Sequence, residues 1–195
     1  MATSRAPYPA TWRNRGRKAL TTATPRPVLP RALPSAAPSV RPAHREDAAA
    51  LAALSRPFVH TGAVRERPLS LYAAHASDFL VVTAPDGTLE GCLALRVHPA
   101  DPGRDHVPAG VLYNFCVARH RQGCGTGARL LRTALARARA QSLGALFTAT
   151  TGGGGLFLRH GFTPASASLA PPEWVSSLDP RRNSRVLARS LGPLR

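Results

Sequence analysis

Lysine is almost absent from this chain: of 26 basic residues in 195, 25 are arginines and Lys18 stands alone. Acidic side chains number only 10, which leaves a formal net charge of +16. Such a charge admits nucleic acid, membrane headgroups and anionic metabolites as partners without choosing among them. Cysteine is scarce too. Cys92, Cys116 and Cys124 are odd in number and have no CxxC spacing, so neither a disulfide framework nor a zinc site is indicated, and no metal is expected. Long apolar runs are missing: Phe79 to Ala84 and Cys92 to Leu95 fall far short of the roughly 20 residues that span a bilayer. The N-terminus has no apolar stretch of about 7–15 residues, which argues against a secretory signal. What is plentiful is ordinary core material, 44% of the residues, enough to exclude disorder throughout.

Charge and proline are distributed unevenly. Residues 1–45 hold nine basic side chains, eight of the 19 prolines and no acid. A segment so punctuated cannot sustain a helix or a central strand. We read residues 1–38 as a disordered Arg/Pro-rich extension; an organellar transit peptide and a nucleic-acid-binding arm using Tyr8 and Trp12 are the competing readings. The domain is expected over residues 39–195.

Within it the periodicity predicts an entry strand at Ser39–Ala43 and a helix over Glu46–Ser55 whose acids favour the positive end of its dipole. Strands follow at 79–83 and 89–98, joined by Asp86-Gly87, a strong hairpin signal. A polar loop over Pro99–Pro108 leads to a strand at Val111–Val117. The longest helix spans Gly125–Gln141, with Leu130, Leu131, Ala134, Leu135 and Ala138 at helical spacing. Its arginines 129, 132, 137 and 139 read as a solvated face. A buried strand at 145–150, a short helix at 156–160 closed by Gly161 and a last strand at 186–190 complete an α+β pattern with a mostly antiparallel sheet.

The chemistry concentrates in Gln122-Gly123-Cys124-Gly125-Thr126-Gly127-Ala128, between strand and long helix. Alternating glycines let backbone approach a ligand closely, and the first N–H groups of the helix point at it from the positive dipole end; phosphate suits such a place. The stretch satisfies GxGxxA, yet a dinucleotide turn follows its strand directly, and here Ala118–Gln122 intervene. No acid lies in 138–150 to hold a ribose, and the Gly-Lys-Ser/Thr of a P-loop is absent.

Val117 to Leu131, with Gln122, Gly125 and Gly127 meeting Q/R-x-x-G-x-G/A, resembles the acetyl-coenzyme A signature of the GNAT superfamily of N-acetyltransferases. Leu156 to Phe162 is similar to the second GNAT motif, a short helix ending in Gly-Phe. A narrower resemblance is to the acetyltransferase domain of N-acetylglutamate synthases, carried by Phe157 before that glycine and by Arg182-Asn183-Ser184-Arg185-Val186-Leu187. The chain departs from that family at Val111, where many members place a glutamate, and at Gly152–Gly155, where polar residues are usual. The kinase-like domain of the long synthases has no counterpart in this sequence, so their arginine feedback is not carried over.

The resemblance implies a mixed sheet flanked by helices and acetyl transfer from acetyl-CoA, as co-substrate, to a primary amine, foremost the α-amino group of an amino acid such as glutamate. Other small or protein amines, a non-catalytic acyl-CoA binder and a basic nucleic-acid-binding protein are the alternatives. It implies acetyl-CoA contacts at Phe115, Val117, Gln122, Gly123, Gly125, Thr126, Gly127, Ala128 and Phe157. Arg182 and Arg185 are expected to hold the acceptor's carboxylates, with Arg65 and Arg67 behind them. The catalytic residues are left open, Tyr113 and His98 being candidates, with His106 beside the same loop; no pair of acid and base stands out. Cys116 and Cys124 are not read as nucleophiles. A cytoplasmic setting in amino-acid biosynthesis fits, import being open if the extension is a transit peptide; no membrane is expected, nucleic acid is disfavoured and a homodimer stays open.

Overall fold

In the computed structural model the described residues are 39–100 and 107–192, so the expected disordered extension at 1–38 and His106 lie outside them. The chain enters as strand β1 (Val40–Pro42), makes a 3-10 turn and forms helix α1 (Ala48–His60). Asp47 joins these two pieces. Its carboxylate takes a two-point contact from Arg41 at 2.7 and 2.9 Å, and one oxygen also accepts from the His44 N–H at 2.8 Å. These bonds hold the Asp47 carboxyl below the usual carboxylate range. Helix α1 starts two residues later than the sequence suggests and continues past Pro57 to His60. The proline sits in the last turn, where its missing N–H removes a single helical bond.

A short helix α2 (Leu69–Ala74) follows, invisible to periodicity because six residues give fewer than two turns. Strands β2 (Phe79–Thr83), β3 (Leu89–His98) and β4 (Ala109–Val117) form an antiparallel meander. Helix α3 (Thr126–Ala140) crosses over to β5 (Ala145–Thr150), then come α4 (Gly155–Arg159), β6 (Thr163–Pro164), α5 (Pro172–Ser176) and β7 (Arg185–Ser190). The sheet order is β1-β2-β3-β4-β5-β7-β6, antiparallel except for β4 beside β5. The expected α+β sheet is thus present.

Each face of the sheet buries its own core. Leu80, Leu93, Leu112 and Leu146 pack on Leu130, Leu131, Ala134 and Leu135 of α3, the stripe the helical spacing marked. On the other face Phe79, Val81, Cys92 and Cys116 meet Leu51 of α1 and Tyr72 of α2, and farther along Val111 and Phe147 meet Trp174 of α5. Gly110 is where β4 comes closest to its neighbours: a Cβ there would sit 2.5 Å from Leu146 Cδ2 and 2.7 Å from Leu95 Cδ1.

Two irregularities in β4 make the site. Pairing with β3 passes from Cys92–Cys116 to Ala94–Tyr113, so β4 carries one extra residue, and Asn114 stands in the left-handed region at φ 49°. Pairing with β5 runs only from Ala109–Ala145 to Leu112–Thr148. Beyond it the two parallel strands separate and leave backbone of β4 without a strand partner on that side.

Candidate active site

A cleft of about 770 Å³ opens where β4 and β5 part. Its lining includes Leu112, Phe115 and Phe157 from the α3–α4 face and Val111, Tyr113 and Trp174 from the opposite face. The cleft therefore runs through the sheet and connects the two faces. Phe157 stacks edge-on against Phe115 at 5.6 Å and Phe162 at 5.4 Å, which fixes the wall on the α4 side.

Next to that wall is the glycine turn. Gly123 and Gly125 have φ of 79° and 81°, and a Cβ at either would meet nothing within 4 Å. Their conformation and the open space beside them suit a ligand against the backbone. The α3 N-cap is Gly125, which offers no side-chain cap, so the N–H groups of Thr126, Gly127 and Ala128 open the helix without an internal partner. Gly127 does a different job: its Cβ would lie 3.2 Å from both Leu156 and Phe115, so it lets α3 pack on the aromatic wall. Thr126 is buried against the same core. The Gln122 amide donates to the Val117 carbonyl at 2.9 Å and ties the turn to the end of β4. Beneath it, Arg121 Nε lies 3.1 Å from the mostly buried Glu90 carboxylate, an ion pair by distance that lacks hydrogen-bond alignment.

The lining of the cleft also holds Arg65, Arg67, Arg96 and Arg182, with Glu66, Glu173 and Asp179 among them. Arg67 is half-buried; its guanidinium donates to Asn114 Oδ1 at 3.2 Å and to the Arg65 carbonyl at 3.3 Å, and it forms no ion pair among the described residues. Desolvation lowers its pKa, the mark of a cation short of compensation. Arg182 also lines the cleft, donating to the Gly62 carbonyl at 2.6 Å. Arg65 donates to the Ser177 carbonyl at 2.6 Å, so the segment before α2 is strapped to the one after α5 across the mouth. Arg185 is not part of the lining; it is exposed and donates to the Gly153 carbonyl at 3.2 Å.

His98 and Tyr113 both reach the cleft. The His98 side chain is 14% exposed, with Nδ1 3.9 Å from Glu173 Oε2; burial lowers its pKa, against the opposing pull of Glu173. Glu173 is 89% exposed, so that contact contributes little. The Tyr113 hydroxyl donates to Asp78 Oδ2 at 2.7 Å, and desolvation with this bond pushes its pKa up, away from service as a phenolate. Cys116 is buried against Cys92 and Ser55, and Cys124 is exposed in the turn; neither lines the cleft.

Sequence reading missed Asn114, Asp78, Arg96 and Ser55. Asn114 is the hub: its Nδ2 donates to Ser55 Oγ at 2.9 Å, while Oδ1 accepts from Arg67 and, at 3.5 Å, from Tyr72. An asparagine inside an apolar strand was the available signal of a bulge; nothing local pointed to the other three.

A split parallel pair, a bulged strand, a glycine turn at a helix start and a Gly-Phe helix define a class. Residues 75–164 match the family model of the acetyltransferase (GNAT) domain, and the chain carries that domain. Among curated proteins it is 31% identical over 154 residues to the amino-acid acetyltransferase of Neisseria meningitidis serogroup A (78% of this chain, 34% of that one). It is 32% identical over 152 residues to that of Ralstonia nicotianae (78% and 32%). The chain thus spans about a third of the length of these relatives. Among solved structures, N-acetylglutamate synthase from Neisseria gonorrhoeae complexed with coenzyme A and N-acetyl-glutamate superposes with a TM-score of 0.71 at 32% identity, covering 80% of this chain and 36% of that one. A Mycobacterium tuberculosis protein solved with CoA shares the fold at 24% identity and a TM-score of 0.62, with 99% of its own length covered. Among the described residues no helix is long and apolar enough to cross a membrane.

Proposed function

We propose that this protein transfers the acetyl group of acetyl-CoA to the α-amino group of an amino acid, with glutamate the acceptor that the cleft fits best. One observation carries the reading: the cleft joins an aromatic wall beside the glycine turn to a wall where Arg67 and Arg182 have only neutral partners. The names of the relatives support the same chemistry.

In this reading the backbone N–H groups of Gly123 to Ala128 hold the pyrophosphate, and Gly123 and Gly125 supply the room for it. The pantetheine arm lies between the parted strands, against Phe115 and Phe157, where β4 backbone beyond Leu112 is free to bond it. The acceptor enters from the opposite face with its carboxylates on Arg67 and Arg182. Its amine nitrogen attacks the thioester carbonyl, the C–N bond forms, the C–S bond breaks and the sulfur leaves as the thiol of CoA. Two guanidinium groups in the same cleft disfavour the protonated amine, so part of the deprotonation is electrostatic. His98, which lines the cleft and whose pKa burial lowers, takes the proton in this reading, directly or through water. No covalent enzyme intermediate is needed; the rate comes from positioning and electrostatics.

The test is release of CoA thiol, with glutamate, glutamine, lysine and spermidine as acceptors. Glutamate should be used best, because exchanging a carboxylate for an amide leaves an arginine uncompensated. Preference for spermidine or lysine would overturn the acceptor assignment.

A further inference from the structure

Arg67 comes from an extended segment between α1 and α2, which by itself gives a long, flexible side chain no fixed direction. Yet its guanidinium carbon lies 5.0 Å from the centre of the Tyr113 ring while one nitrogen reaches Asn114 Oδ1. The ring is a platform under the cation, and the platform is itself braced. The Tyr113 hydroxyl donates to Asp78 Oδ2 at 2.7 Å, and Arg96 Nε donates to that same oxygen at 3.2 Å. Arg96 lies 5.3 Å from the ring centre, and Phe79 meets the ring edge-on at 5.7 Å. Asp78 is thus committed to Arg96 and Tyr113 and compensates neither Arg67 nor an incoming ammonium.

Resting on the acceptor assignment above, we infer that Tyr113 is a positioning residue: its ring, anchored through its hydroxyl by Asp78, holds the Arg67 guanidinium over the β4 bulge so that the acceptor's carboxylate meets a cation already desolvated and aimed. A guanidinium on an aromatic face keeps its N–H edges free for a carboxylate in its own plane, whereas a second acid would occupy them. Chain geometry supports this use. Tyr113 is the residue just before the left-handed Asn114, so the bulge that turns the Asn114 amide toward Arg67 also sets the ring beneath it.

Steady-state kinetics of Tyr113→Leu, Tyr113→Phe and Asp78→Asn test the inference, with thermal melting of each. Tyr113→Leu should raise KM for glutamate about 3- to 30-fold, the range of a desolvated cation–π contact. Its kcat should stay within about 3-fold of wild type and its KM for acetyl-CoA should not move. Tyr113→Phe, which keeps the ring but drops its anchor, should recover part of the loss and leave the glutamate KM about 2- to 10-fold raised. Asp78→Asn preserves the ring's volume and stands in should Tyr113→Leu fail to fold; its glutamate KM should rise about 2- to 10-fold. Equal damage by Phe and Leu, falling on kcat, would make the hydroxyl a participant in proton transfer and overturn the inference. Unchanged glutamate KM in both Tyr113→Leu and Asp78→Asn would overturn it as well. Failure of the acceptor assignment is separately visible, because wild-type protein would then release CoA no faster with glutamate than without it.

Discussion

Arg67 carries a charge in a half-buried place with amide, carbonyl and aromatic partners and the like charges of Arg65 and Arg96 nearby, so a carboxylate bound there gains most from the low local polarity. Arg67→Ala should lower kcat/KM for glutamate about 10- to 200-fold, the worth of a charge-assisted bond of about 1.5–3 kcal/mol, while acetyl-CoA binding by calorimetry stays unchanged. Arg185→Ala should change glutamate use less than about twofold, since that side chain faces Gly153 outside the cleft. His98 gives a pH signature. Burial depresses its pKa in the folded protein, so below about pH 6.5 the unfolded chain binds more protons and stability falls as pH drops. The melting temperature should decline from about pH 7 toward pH 5, and His98→Gln should flatten that part of the curve. A curve of unchanged slope in the variant would remove His98 as its source.

At the scale of elements, two glycines of different function separate binding from packing. Gly125→Val adds a branched side chain at φ 81°, a strain of about 1–2 kcal/mol, but the Cβ enters open space. The fold should survive and acetyl-CoA affinity should fall at least about tenfold, roughly 1.4 kcal/mol. Gly110→Ala has ordinary backbone and no room: leucines 95, 143 and 146 stand within 2.9 Å of the new methyl. It should destabilise by about 1–3 kcal/mol in denaturant unfolding while acetyl-CoA affinity, measured on the folded fraction, stays the same. The reverse pattern, binding lost at Gly110 and kept at Gly125, would contradict the site as drawn.

For the whole molecule, the sheet opens at Val40 and its last strand ends at Ser190, so every described strand and both faces of the core lie within the expected domain. A protein beginning at Ser39 should therefore melt cooperatively and bind acetyl-CoA with unchanged affinity. It also sheds seven basic side chains and no acid, which lowers the formal net charge from +16 to +9. Any residual affinity for nucleic acid should then weaken and lose much of its salt dependence in filter binding. A truncated chain that melts without a cooperative transition would place part of the core upstream of Ser39.

How much of this was legible in the sequence depends on how far apart the partners lie along the chain. The glycine turn, the strand before it and the helix after it are settled within the one contiguous stretch 109–140, because φ > 0 at Gly123 and Gly125, the uncapped helix start and the Leu130–Ala138 stripe are local matters. The hairpin at Asp86-Gly87 and the Gly-Phe helix were readable for the same reason. The opposite wall was legible only in part: Arg67, Tyr113 and Arg182 were candidates, whereas Asp78 and Arg96 were not. Arg67, Asp78, Arg96, Tyr113 and Arg182 come from five separate segments, and their meeting follows from sheet register. The single extra residue at Asn114 reverses the alternation of β4, leaving Tyr113 on one face and turning Phe115 to the α3–α4 face. Sequence pattern alone determined the glycine turn and the open helix start to which we assign the coenzyme's phosphates. Only the folded sheet, by where β4 bulges and where it leaves β5, decided which side chains line the cleft between its two faces.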